Sequence, residues 1–107
     1  MSVNLLSDQN KVELLESSQY SIVKFYADWC GSCRLIAPKY TKLSQDERFA
    51  DVTFLETNAE INPELRALAK VSNLPTFATF RNGELVHSDF TAKIESVEKM
   101  IAELINS

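Results

Sequence analysis

Short β-branched and aromatic runs alternate with stretches of helical periodicity along this chain, and that alternation restricts the fold more than any other feature. Ile22 to Ala27 reads as a buried strand. A long helix should follow from Cys30-Gly31-Ser32-Cys33 to about Gln45, with Leu35, Ile36, Tyr40 and Leu43 apolar. Pro38 inside it removes a backbone donor and predicts a kink. Val52 to Thr57 is a second core strand. Asn62-Pro63-Glu64 then writes a helix start: a cap, a proline in the first turn and an acid near the positive end of the dipole. Thr76 to Arg81 and Glu84 to Phe90 flank Asn82-Gly83, the strongest short-range hairpin signal. A last helix from about Thr91 carries Ile94, Val97, Ile101 and Leu104 on one face. Ahead of all these, Ser7 can cap a helix through about Ser17, with Val12, Leu14 and Leu15 turned inward. Strands alternating with helices, then a hairpin and a closing helix, indicate an α/β sandwich with a mixed sheet.

Size and charge exclude several functions. The 107 residues are one domain's worth. The two glycines, against roughly seven expected at average usage, exclude a collagen-like or linker-rich chain. One bridge between two cysteines so close in sequence closes too short a loop to staple a fold. Eleven Lys+Arg against 15 Asp+Glu give a formal net charge of −4 with no basic cluster, which argues against a nucleic-acid partner. No apolar run approaches the roughly 18 residues of a membrane span. The start, Met1-Ser2-Val3-Asn4-Leu5-Leu6-Ser7-Asp8, lacks the basic and apolar regions of a signal peptide. A chain that begins at its natural start would therefore be cytoplasmic. There a close cysteine pair points to metal or redox chemistry rather than to a structural disulfide.

A strand leading into Cys-x-x-Cys at a helix start carries its own mechanism. Free N–H groups and the helix dipole favour the thiolate of Cys30, which should be partly exposed at the strand end. Only a thiolate attacks a disulfide, and Cys33, one turn along, is placed to resolve the mixed disulfide that results. Two other readings stand beside this one. Structural zinc needs about four ligands, and the only other Cys or His is His87, so a metal site would have to be shared across a homodimer. The pair could also be buried and unreactive.

The segment Phe25-Tyr26-Ala27-Asp28-Trp29-Cys30-Gly31-Ser32-Cys33-Arg34, with Ala37-Pro38 behind it, resembles the active-site segment of thioredoxins. Leu74-Pro75-Thr76-Phe77, then Phe80-Arg81-Asn82-Gly83-Glu84, is similar to their second signature. The resemblance covers essentially the whole chain. It implies a thioredoxin fold over 1–107: a central mixed five-stranded β-sheet flanked by four α-helices. It implies a cis bond before Pro75, which would leave the backbone of Leu74 free to pair with an extended client segment. Trp29, otherwise a core anchor, would sit at the rim. Trp29, Gly31, Ser32, Leu74, Pro75, Thr76 and the turn Phe90-Thr91-Ala92 would form the docking surface. The implied activity is protein disulfide reduction by a Cys30/Cys33 dithiol, in a monomer that needs no bound cofactor or metal. NADPH-dependent thioredoxin reductase or another donor would recycle it, and disulfide-bearing client proteins would be its partners. An oxidase or isomerase of the same fold, and a redox-idle binding module, are the competing functions.

The chain departs from the family pattern at four positions. Ser32 replaces the usual proline; it restores an N–H and adds a hydroxyl, both able to stabilise the Cys30 thiolate, so a weaker reductant is expected. Thr91 stands where glycine is usual and should narrow the groove. Lys24 occupies the place of a buried acid, and Glu56 that of the lysine facing it, so the pair is charge-reversed. Either Glu56 takes over proton transfer to Cys33, or water does so and the pair is structural. Lys24 could instead lay its stem along apolar surface with its ammonium in water. Asp28 reads as an exposed rim charge, Arg34 as either a solvated residue or a source of positive potential, His87 as solvated, and Asn73 as a left-handed turn residue.

Overall fold

A computed structural model describes residues 3–106. The reading of the first eight residues as no leader falls partly on Met1 and Ser2, outside the described residues. Five strands form one mixed sheet: β1 (Asn4–Leu5), β2 (Tyr20–Tyr26), β3 (Val52–Asn58), β4 (Thr76–Arg81) and β5 (Glu84–Phe90). Their order is β1-β3-β2-β4-β5. The first three neighbours run parallel, and β4 and β5 are added antiparallel. Four helices flank the sheet: a five-residue helix with wide, π-type hydrogen bonding (Val12–Glu16), α1 (Gly31–Ser44), α2 (Pro63–Leu68) and α3 (Ile94–Ile105). This is the α/β architecture expected from the sequence.

Alternation along the strands divides the core in two. Val23, Phe25 and Leu55 pack with Leu15 of the first helix and with Leu65 of α2. Ile22, Phe54 and Phe77 face the other way and pack with Ile36 and Tyr40 of α1 and Val97 and Ile101 of α3. Tyr40 adds a polar tie: its hydroxyl lies 3.0 Å from the carbonyl of Ile22 and 2.8 Å from that of Leu55, on β2 and β3. α1 runs through Pro38 as one element, and Leu35 lies outside its buried face.

The hairpin turn is of the mirror-image type that suits strand twist, with φ of 53° at Asn82 and 83° at Gly83. A side chain at Gly83 would meet the backbone of Glu16 at 3.0 Å, so this glycine is required twice over.

Several boundaries differ from expectation for local reasons. The first helix does not begin from Ser7, because Ser7 and Asn10 close a separate turn in which each backbone N–H donates to the other's side chain. Val12, expected to turn inward, is exposed, whereas Leu15 is buried. α3 starts at Ile94 rather than near Thr91. Asn62 does not cap α2 with its own side chain. Its Oδ1 accepts from the N–H of Asp8, and the Asp8 carboxylate accepts from the N–H groups of Glu64 and Leu65. The left-handed residue is Lys70 (φ 58°), not Asn73. Lys70 follows the end of α2, where the N–H of Val71 reaches back to Arg66 and that of Lys70 to Ala67, the paired closure that forces a left-handed residue between them.

Candidate redox site

Topology gathers the site at one end of the sheet. The antiparallel pairing sets Phe25, near the end of β2, opposite Thr76 at the start of β4, and Thr76 opposite Phe90 at the end of β5. Ala27–Cys33, Leu74–Pro75 and Phe90–Ala92 therefore meet there. The turn after β3 joins them, because the N–H of Ala59 donates to the carbonyl of Tyr26 at 2.8 Å.

Cys30 is the N-cap of α1 and is joined to Cys33 by a disulfide, with their Cα atoms 5.3 Å apart. The N–H of Cys33 donates to Cys30 Sγ at 3.2 Å. A helix-terminal donor aimed at this sulfur is what stabilises it as a thiolate once the bridge opens. The sequence placed Cys30 partly exposed; it is only 5% exposed, because Ala27, Cys33 and Leu74 pack around it. Gly31 and Ser32 are exposed, and a side chain at Gly31 would meet nothing within 4 Å, so the surface over the bridge is open. Closed at a helix terminus in this way, the pair is a thiol–disulfide oxidoreductase centre.

The Leu74–Pro75 bond is cis. Pro75 and Thr76 are buried, and the Thr76 hydroxyl donates to the carbonyl of Asn73 at 2.6 Å. The N–H of Thr91 donates to the carbonyl of Pro75 at 3.2 Å, which ties the Phe90-Thr91-Ala92 turn to the proline. Phe90 and Ala92 are exposed, and the Thr91 hydroxyl accepts from the N–H of Lys93. Trp29 is at the rim rather than in the core: it is 66% exposed, and its Nε1 donates to Glu60 at 2.7 Å.

Behind the bridge an open cleft of about 490 Å³ is lined by Cys33, Arg34 and Ala37 from α1, Lys24 and Tyr26 from β2, Glu56 from β3 and Asp28. Lys24 is held inside. Its side chain is 5% exposed, that of Glu56 is 32% exposed, and Nζ lies 3.1 Å from Oε1. The ammonium also lies 5.6 Å from the ring centres of both Tyr26 and Tyr40. The solvated reading of Lys24 is thereby overturned. Burial, with Glu56 and Asp28 nearby, raises the Tyr26 hydroxyl above its usual range, and burial raises that of Tyr40 well above it. The Arg34 guanidinium turns to the carbonyl of Asp28 at 2.7 Å. His87 is exposed on β5, away from the cysteines in the sheet register. Among the described residues no three His, Cys, Asp or Glu side chains stand together as metal ligands, and no helix is long and apolar enough to cross a membrane.

The sequence assigned no role to Glu60, and it marked Tyr40 only as an apolar helix position and Tyr26 only as part of the active-site segment, two residues from Lys24 on the same face of β2.

Comparison with known proteins places this geometry. The family profile described as thioredoxin matches residues 2–106. The thioredoxin of Ovis aries is 37% identical over 84 residues, 78% of each chain. A peptide-N(4)-(N-acetyl-beta-glucosaminyl)asparagine amidase of Caenorhabditis briggsae is 36% identical over 87 residues, although the match spans only 14% of that longer protein. The structure of a reduced thioredoxin pre-protein from Schistosoma mansoni superposes with a TM-score of 0.86 at 32% identity, covering 97% of this chain and 99% of that one. With the Cys30–Cys33 bridge, the cis-proline beside it and a family match over nearly its whole length, the chain belongs to the thioredoxin family.

Proposed function

We propose that residues 1–107 form a single thioredoxin domain acting as a protein-disulfide reductase, with Cys30-Gly31-Ser32-Cys33 as its active site. The observation that carries this reading is the Cys30–Cys33 bridge at the N-terminus of α1, with the Cys33 N–H on Cys30 Sγ. In the reduced protein the Cys30 thiolate attacks one sulfur of a client disulfide. A mixed disulfide forms, and the client's other sulfur leaves as a thiolate that takes up a proton. The Cys33 thiol gives up its proton, its sulfur attacks Cys30 Sγ, and the client's second thiolate departs. Two electrons pass to the client and the Cys30–Cys33 bridge closes. Trp29, Gly31, Ser32, Leu74, Pro75, Thr76, Phe90, Thr91 and Ala92 present the client's cysteine, and Lys24 and Glu56 line the cleft through which the Cys33 proton leaves. An external donor, an NADPH-dependent thioredoxin reductase or another dithiol, reopens the bridge. The protein is read as a cytoplasmic monomer that carries electrons between the donor and its clients.

Insulin disulfide reduction tests this, driven in one arm by NADPH with thioredoxin reductase and in another by dithiothreitol. Turnover in both arms is expected. Cys30→Ser should abolish it, and Cys33→Ser should trap clients as mixed disulfides. Retention of function in both variants would instead mark a redox-idle binding module. Efficient net oxidation of a reduced client by the bridged form would favour the oxidase or isomerase reading that Ser32 suggests.

A further inference from the structure

The rim beside the bridge carries an acid that the reaction does not require. Trp29 Nε1 donates to Glu60 Oε2 at 2.7 Å, so one carboxylate oxygen fixes the exposed indole next to Cys30. Glu60 is itself held from behind. Its N–H donates to Asn58 Oδ1 at 2.9 Å, the Asn58 carbonyl accepts from Asn62 Nδ2 at 3.0 Å, and Ala59 is bonded to the end of β2. A full negative charge thus stands on a rigid turn, its side chain exposed beside the indole and the apolar side chain of Ile61. Asp28, exposed and next to Trp29 in the chain, has the same sign. Arg34 on α1 is drawn to the Asp28 carbonyl and lines the cleft behind Cys33.

We propose that Glu60 is a specificity residue: through its bond to Trp29 it holds one flank of the docking surface negative and selects client disulfides that carry a Lys or Arg beside the attacked cysteine. This rests on the reductase reading above. A client cation arriving at that flank gains an ion pair with Glu60, while a client carboxylate meets repulsion beside the sulfur it must reach. Exposed charges act at this scale chiefly on association and orientation, and salt screens them.

The test uses two cystine peptides that differ only in a Lys or a Glu next to the cysteine, with rates of reduction by the dithiol protein measured at low and high ionic strength. The Lys peptide should react about 2- to 5-fold faster at low salt, the size of an exposed charge pair, and the ratio should fall toward one at high salt. Glu60→Gln keeps an oxygen acceptor for the indole N–H but removes the charge, so the ratio should also fall toward one. Because the readout is a ratio, a general change in activity cancels. Trp29 is the only tryptophan, so its emission should be preserved in Glu60→Gln and altered in Glu60→Ala. Equal rates for the two peptides in the unmodified protein, or a ratio unmoved by Glu60→Gln, overturns the proposal and leaves the reductase reading intact. Reduction of neither peptide overturns both.

Discussion

Lys24 and Glu56 face each other in register across the parallel strands β2 and β3, with Nζ 3.1 Å from Oε1. The ammonium is the inner member of the pair and the carboxylate the outer one. Both line the cleft that ends at Cys33, where a proton must leave when the mixed disulfide is resolved. Asp28 is exposed at the mouth, whereas Glu56 connects the buried cation to solvent. Glu56→Gln is therefore expected to slow release of the reduced client near neutral pH, by up to about 10²-fold if the carboxylate acts as a general base, and to change the pH profile of that step. Rapid-quench measurement of mixed-disulfide decay between acidic and alkaline pH reads this directly. A profile identical to that of the unmodified protein assigns the proton to water and leaves the pair structural.

Ser32 is exposed at the second position of α1, between the cysteines. A proline there would pre-set φ and stiffen the turn that presents Cys30, and it would remove an N–H and a hydroxyl able to favour the thiolate. The reduced form should thus be favoured with serine, and the protein should be a weaker reductant than one with proline. Equilibration with glutathione buffers is expected to give a potential above the value of about −270 mV typical of thioredoxin, and Ser32→Pro should lower it. A potential at or below that value in the unmodified protein would sink the expectation.

The strands, the hairpin and the cysteine-bearing helix were legible because each is written within a few residues. Asn82-Gly83 sits between the runs that become β4 and β5 and takes the backbone angles that such a pair adopts. The site was legible where a local pattern carried it, as in Trp29-Cys30 and Leu74-Pro75. What the sequence could not reveal spans the fold. The Asp8 cap on Leu65 bridges 57 positions, and the Trp29–Glu60 bond bridges 31. Cys30 is covered partly by Leu74, which arrives from the start of β4. Lys70 takes the left-handed position because α2 ends there, and no glycine or asparagine marks the spot. Lys24 had two local readings, and only the rings of Tyr26 and Tyr40 around it decide for burial.

Tyr40 links stability to alkaline pH. Its buried hydroxyl is held well above its usual range, so the folded state retains a proton that the unfolded chain loses near pH 10. The unfolded state binds fewer protons above that point, and stability must fall as pH rises from the unfolded value toward the folded one. Tyr26, raised by burial and by nearby carboxylates, contributes with the same sign. Tyr40→Phe should cost about 1 kcal/mol at neutral pH through the lost contacts to Ile22 and Leu55. It should also be less sensitive to pH above 10. Urea titrations at neutral and alkaline pH separate the two effects. An equal alkaline loss in Tyr40→Phe would show that another group carries it.

Asp8 stabilises α2 from outside the helix. Its Oδ2 accepts from the N–H of Glu64 at 3.1 Å and its Oδ1 from that of Leu65 at 2.9 Å, while its own N–H donates to Asn62 Oδ1. A helix of six residues does not persist by propensity alone, and Leu65 is part of the core on that face of the sheet. Asp8→Ala should therefore destabilise the protein by about 1 kcal/mol, the usual cost of losing an N-cap acceptor, equivalent to a fall in Tm of about 4–8 °C in a domain near this size. Asp8→Asn keeps an acceptor and should recover most of the loss, because short-range hydrogen bonding rather than net charge makes the cap. Thermal melts of the three proteins check this. If alanine and asparagine are equally destabilising, the charge rather than the hydrogen bonds holds the helix; if neither lowers Tm, α2 does not depend on the cap.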